Sequence, residues 1–77
     1  MSGSVYKVIE LVGTSTDSWE AAARMAIEAA ARTLKDMRVA EVVTTDVRLE
    51  DNKIVEYRVK MNVSFKYHEE LSDSSAT

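Results

Sequence analysis

The stretch IVEYRVKMNVSFKY, residues 54–67, alternates apolar and polar side chains without a break from Val55 onward. Val55, Tyr57, Val59, Met61, Val63, Phe65 and Tyr67 share one parity. Glu56, Arg58, Lys60, Asn62, Ser64 and Lys66 share the other. A period of two is the mark of a β-strand with one buried face. At about 3.3 Å per residue such a strand is roughly 46 Å long. A compact chain of this size has a radius of gyration of only about 11–12 Å. The strand must therefore curl around something or reach onto a neighbouring chain. That geometry argues for an assembly before it argues for any chemistry.

Working outward, EDNK at 50–53 puts Asp51-Asn52 at the centre of a tight turn. VAEVVTTDVRL, residues 39–49, reads as the strand before it, so the two make a hairpin. A two-residue turn sets Arg58 near Thr45 and Lys60 near Val43. Ala40 and Val42 then join Val59, Met61, Val63 and Phe65 on the face that a helix covers. Val39, Glu41, Val43, Thr45, Arg58 and Lys60 form the other face. Its mixture of valines and charges suits a subunit interface or a ligand wall.

Upstream, VYKVIELV at 5–12 is rich in β-branched residues and reads as a first strand, with Gly13 as its end. Asp17 and Glu20 have capping-box spacing, and Ser15 or Thr16 are alternative caps. The helix that follows carries Trp19, Ala22, Ala23, Ala26, Ile27, Ala30, Leu34 and Met37 at helical spacing. Its alanines make a flat stripe that a sheet can approach closely. Arg32, Lys35 and Arg38 gather at its expected end, as the helix dipole prefers. At about 1.5 Å per residue the stripe spans roughly 30 Å. Residues 1–4 and 69–77 read as frayed ends, the latter a polar tail.

Composition narrows the function. There is no Cys, which excludes disulfides and thiolate metal sites. A chain this short is marginal alone; the usual reinforcements are disulfides, metals or oligomerisation, and the lack of Cys removes only disulfides and thiolate metal sites. No apolar run is long enough to span a bilayer and no signal peptide is visible, so the expected location is cytoplasmic. The net charge of -3 is spread over interspersed acids and bases. No basic stripe marks a nucleic-acid partner. His68 has no nameable partner, and Ser15 and Ser18 read as helix-cap residues rather than nucleophiles, for want of a nearby base, so no enzyme motif is present.

VIELVGTS at 8–15, RVAEVV at 38–43 and YRVKMNVSFKY at 57–67, in the order β-α-β-β, resemble the dodecin family. The resemblance covers roughly residues 4–68, and a domain of 5–68 is expected from it. It implies an α+β subunit whose three-stranded antiparallel sheet wraps one helix. It implies a hollow homododecamer that binds or stores a small ligand, typically a flavin (riboflavin or FMN) in pairs. In flavin-binding members a Trp at the start of the second strand stacks on the isoalloxazine ring. Here that position is Val39, which has no π face. A Gln in the third strand that bonds the flavin edge is here Arg58. The chain thus resembles the Trp-lacking branch, some members of which are described as calcium dodecins. On that analogy flavin binding is weak or absent, and Ca2+ is a possible ligand.

The candidate ligand-binding residues are accordingly Val39, Glu41, Thr45 and Arg58. Glu41 and Asp46 are the candidate metal donors, since Ca2+ takes several oxygen ligands. The favoured reading of Arg58 is an ion pair with Glu41 across a subunit boundary; the other is a grip on an anionic ligand. Glu50, Asp51 and Asn52 form a local oxygen cluster without EF-hand spacing. A flavin-type ligand store, a calcium-supported assembly and a purely structural shell are the function classes the sequence leaves in play.

Overall fold

The computed structural model describes residues 3–67. It contains β1 (Tyr6–Ser15), α1 (Trp19–Ala30), β2 (Met37–Glu50) and β3 (Lys53–Lys66). The strands form one antiparallel sheet in the order β1-β3-β2. The alternating stretch is the central strand, paired on both sides. The molecule is long and thin, 56 × 23 × 14 Å, with a radius of gyration of 16.2 Å. That exceeds the roughly 11–12 Å of a compact chain of this length. The 14-residue β3 is the cause.

Asp51 and Asn52 both have positive φ, 51° and 62°. Two such residues in succession make the type I′ turn whose twist matches a two-residue hairpin. Asn and Asp tolerate that conformation because their side chains can bond the local backbone.

The core lies between α1 and the concave side of the sheet. Ala22, Val59, Met61 and Val63 are buried, and Ile9, Leu11, Ala23, Ala26, Ile27 and Met37 pack on them. The parity assignment for β3 therefore stands, and so does the flat alanine stripe. Gly13 has a different role from the one expected. β1 runs through it to Ser15. A Cβ on Gly13 would lie 2.1 Å from the Ala22 carbonyl oxygen and 2.9 Å from the Ala26 Cβ. Helix and strand touch backbone to backbone there, which only glycine permits.

The helix is shorter than its apolar spacing suggests. It spans 12 residues, about 18 Å at the usual rise. Ala31 caps it, and Thr33 N–H and Leu34 N–H both donate to the Ala30 carbonyl. Asp36, at φ 60°, turns the chain back, and Met37 opens β2. Arg32, Lys35 and Arg38 thus lie beyond the last helical turn. At the other end Ser18 is the N-cap, not Asp17, Ser15 or Thr16. Its Oγ accepts from the Ala21 N–H at 3.0 Å, while Ser15 Oγ accepts from the Asp17 N–H. Glu20 sits in the first turn, where the dipole favours an acid.

The hairpin register also departs from a simple two-residue count. The β2–β3 ladder shifts between Met37 and Val39, between Val42 and Thr44, and between Arg48 and Leu49. Val55 is the extra residue near the turn, and Val43 and Arg38 are extra in β2. Arg58 consequently faces Asp46 rather than Thr45, and Lys60 faces Thr44 rather than Val43. Bulges of this kind bend a strand and increase its local twist.

Candidate functional site

The convex face of the sheet has no helix on it. β1 contributes Tyr6, Val8, Glu10, Val12 and Thr14. β3 contributes Arg58, Lys60, Asn62 and Ser64, and β2 contributes Val39, Glu41, Thr44 and Asp46. Apolar and charged side chains are interleaved. Val39 is 61% exposed, and Val8 and Val12 are similarly open. Valines left in water on a folded sheet are an unmet burial demand.

The charges on this face are paired across strands. Arg58 Nε–H donates to the Asp46 carboxylate at 2.8 Å. Lys60 Nζ lies 3.5 Å from a Glu10 carboxylate oxygen. These four, with Val12 and Thr44, line a shallow depression of about 290 Å³. A second depression runs towards Val47, Arg48 and Leu49 and shares Asp46 and Arg58 with the first. At the hairpin end Arg48 Nη1–H donates to Glu50 at 2.6 Å and its Nε–H donates to Glu56 at 3.1 Å. The bond to Glu50, then that to Glu56, raises the Arg48 guanidinium above its ordinary value.

The sequence candidates do not converge on one point. Asp46 and Arg58 meet. The partner of Arg58 within the subunit is thus Asp46, where the sequence suggested Glu41 of another. Thr45 faces Val59 on the helix side, because the Val43 bulge reverses the parity of β2. It stands with Trp19 and Val42, away from Arg58. Glu41 is opposite Asn62, four residues along β3 from the Arg58 position. That separation is about 13 Å. Val39 lies one step further, opposite Ser64, whose hydroxyl donates to the Val39 carbonyl at 3.4 Å.

The donor set decides what one subunit can hold. Ca2+ needs about six to eight oxygens. Among the described residues no group of three or more His, Cys, Asp or Glu converges. Glu41 and Asp46 are too far apart to share an ion within one chain, and Asp46 is already bonded to Arg58. Neither carboxylate alone fits such an ion; copies brought together by symmetry would be needed. For a flavin ring the position at Val39 supplies aliphatic contact and no stacking. Within the three strands, Tyr6 is the aromatic of this face. It lies opposite Lys66, beyond the Ser64–Val39 pair. Sequence reasoning missed Glu10, Val12 and Tyr6, since only the β1–β3 pairing carries them to the site. The alternation of Tyr6, Val8, Glu10 and Val12 along β1 was the available signal.

Two sequence expectations concern His68 and the 69–77 tail, which lie outside the described residues. Among those described, no helix is long and apolar enough to cross a membrane.

The family model described as Dodecin matches residues 5–68. The calcium dodecin of Mycobacterium tuberculosis is 46% identical over 63 residues, 82% of this chain and 89% of that protein. A crystal structure of that calcium dodecin, with a novel calcium-binding site, superposes with a TM-score of 0.76 and 44% identity, over 86% of this chain and 94% of its own. The dodecin of Thermus thermophilus is 37% identical over 67 residues, 87% of this chain and 97% of that protein. The dodecin of Streptomyces coelicolor superposes with a TM-score of 0.83 and 33% identity, over 90% of this chain and 99% of its own. In sequence and in the order and pairing of its elements, the chain belongs to the dodecin family.

Proposed function

We propose that the chain assembles into a hollow homododecamer that binds and stores a small ligand, and that a divalent cation, Ca2+, supports the assembly. The observation that carries this reading is the uncovered convex face. Its exposed valines and cross-strand ion pairs extend along strands too long for one compact subunit. Closed symmetry buries such a face on every copy at once. The reading is of a binding protein rather than an enzyme, with no nucleic acid or membrane as partner and a cytoplasmic location.

Calcium ranks above flavin for two reasons. The calcium dodecin is the more similar of the two named curated relatives, at 46% identity against 37%. Val39 also removes the stacking surface a flavin would use. Aromatic stacking is worth about 0.5–1.5 kcal/mol beyond area burial. A symmetry axis that gathers copies of Glu41, or of Asp46, supplies the oxygens that one chain lacks.

The test is metal analysis and a melting curve on purified protein with and without a chelator. Bound calcium and a fall in the melting temperature on chelation are expected. A metal-free protein with unchanged melting removes calcium and leaves a shell that binds another ligand or none. A yellow protein with a flavin spectrum reverses the ranking of the two ligands.

A further inference from the structure

The sheet's concave side has a bare strip. α1 packs against β1 and β3 and leaves β2 largely uncovered. Val42, beside the buried Val59 and Met61 positions, is 53% exposed as a result. Two depressions lie along this groove. One, of about 200 Å³, is lined by Trp19, Glu20, Ala23, Val42, Thr45 and Val59. The other, of about 180 Å³, lies beside Ile27, Met37 and Val63. A cavity of about 150 Å³ can hold a benzene molecule, so each has room for a branched aliphatic side chain.

The same chain has an apolar element with nothing against it. The β1–β3 ladder stops at the Ser15–Tyr57 pair. Beyond it the hairpin continues as a bare two-stranded ribbon. Leu49 and Ile54 face each other across that ribbon, 57% and 53% exposed. From the alternation with Val47 and Thr45, they stand on its concave side. A two-stranded ribbon without backing is marginal in water. Within its own subunit Leu49 lies seven residues along β2 from Val42, about 23 Å.

We propose that the Leu49–Ile54 tip of one copy docks in the Trp19–Val42 groove of the next. The inference rests on the self-assembly reading and adds which surfaces meet. Three observations select this occupant. The tip and the groove are both apolar and both unpartnered. Residues 68–77, HEELSDSSAT, offer little apolar surface to fill either. One charge pair is also on offer. Glu20 borders the groove, and Lys53, which faces Glu50 across the turn, sits beside Ile54; among the described residues neither Glu20 nor Lys53 is in a salt bridge. Such a contact is head-to-tail. It closes when the rotation between copies completes a ring.

The chain has no cysteine, so an engineered pair reports without background. Leu49 and Val42 are seven residues apart on one strand, about 23 Å, so no disulfide can join them within one chain. The experiment is mild oxidation of Leu49→Cys, Val42→Cys and the double variant, followed by non-reducing electrophoresis, with the native mass of each measured before oxidation. The expected result is chain-to-chain cross-linking in the double variant at native assembly mass, and little in either single variant. Cross-linking by Leu49→Cys alone means that tip meets tip and overturns the proposal. Cross-linking by Val42→Cys alone means that groove meets groove and overturns it equally. A double variant that keeps the native mass without cross-linking overturns the docking and leaves the shell. A wild-type protein that is a single chain overturns the shell and the docking with it. If the double variant does not assemble, the two single variants are mixed before oxidation; a heterotypic cross-link supports the contact, and its absence from the assembled mixture overturns it.

Discussion

The Trp19 indole N–H donates to the Asp46 carbonyl at 3.0 Å, joining the first residue of the helix to the middle of β2. Asp46 faces both ways. Its carbonyl holds Trp19 on the concave side, and its carboxylate accepts from Arg58 on the convex side. Trp19 also meets Tyr57 edge to face, with centroids 5.2 Å apart and planes at 76°. The helix start is thus fixed to both strands of the hairpin just where β1 and its backing run out.

Trp19→Phe keeps a ring against Tyr57 and removes the bond to Asp46. A net loss of about 0.5–1.5 kcal/mol is expected, the usual worth of one such hydrogen bond. Chemical denaturation followed by circular dichroism measures it, since the variant has no tryptophan to report by fluorescence. An unchanged midpoint means that the indole bond contributes nothing to the fold.

Gly13→Ala places a methyl group 2.1 Å from the Ala22 carbonyl oxygen. The helix must then lift off β1, because the obstacle is backbone. Overpacking of this kind costs about 1–3 kcal/mol and sometimes more. Gly3→Ala, at an exposed position before β1, is the control and should melt like the wild type. Equal melting of the two variants would show that the close approach is unnecessary.

Val39→Trp should create flavin affinity. The position is open, on the convex face and beside Ser64. Riboflavin fluorescence quenching titrated against wild type and variant measures the gain. Stacking worth about 0.5–1.5 kcal/mol corresponds to a roughly two- to twelvefold tighter binding. Within one chain Arg58 lies six residues along β3 from the Val39 pair, so adding Arg58→Gln tightens binding further only where a neighbouring copy brings its Arg58 to the ring, a guanidinium being unable to accept a hydrogen bond. Wild type binding as tightly as the Trp variant would show that stacking at residue 39 is irrelevant.

Much of this fold is legible in the chain. The alternation from Val55 to Tyr67 identifies the central strand. Asp51-Asn52 identifies its turn and Ala22–Ala26 the flat face of the helix. What escapes sequence reading is whatever one residue of slippage decides. Val55, Val43 and Arg38 are single extra residues in a long hairpin, and neither alternation nor propensity records where such a residue falls. The consequence falls on the site: Thr45 changes face, and Arg58 meets Asp46. The end of α1 was hidden for a related reason. Leu34 and Met37 keep helical spacing, yet Leu34 lies past the turn that ends the helix and Met37 packs on the core from β2. Gly13 reads as a strand end until the helix is laid across it.

The central claim is that this subunit is incomplete alone, its convex valines and its hairpin tip being covered by other copies. The most direct measurement is the native mass of the purified protein, by light scattering or native mass spectrometry at micromolar concentration and physiological salt. The account predicts a single species of about twelve times the 8.6 kDa chain. A stable monomer of 8.6 kDa would contradict it.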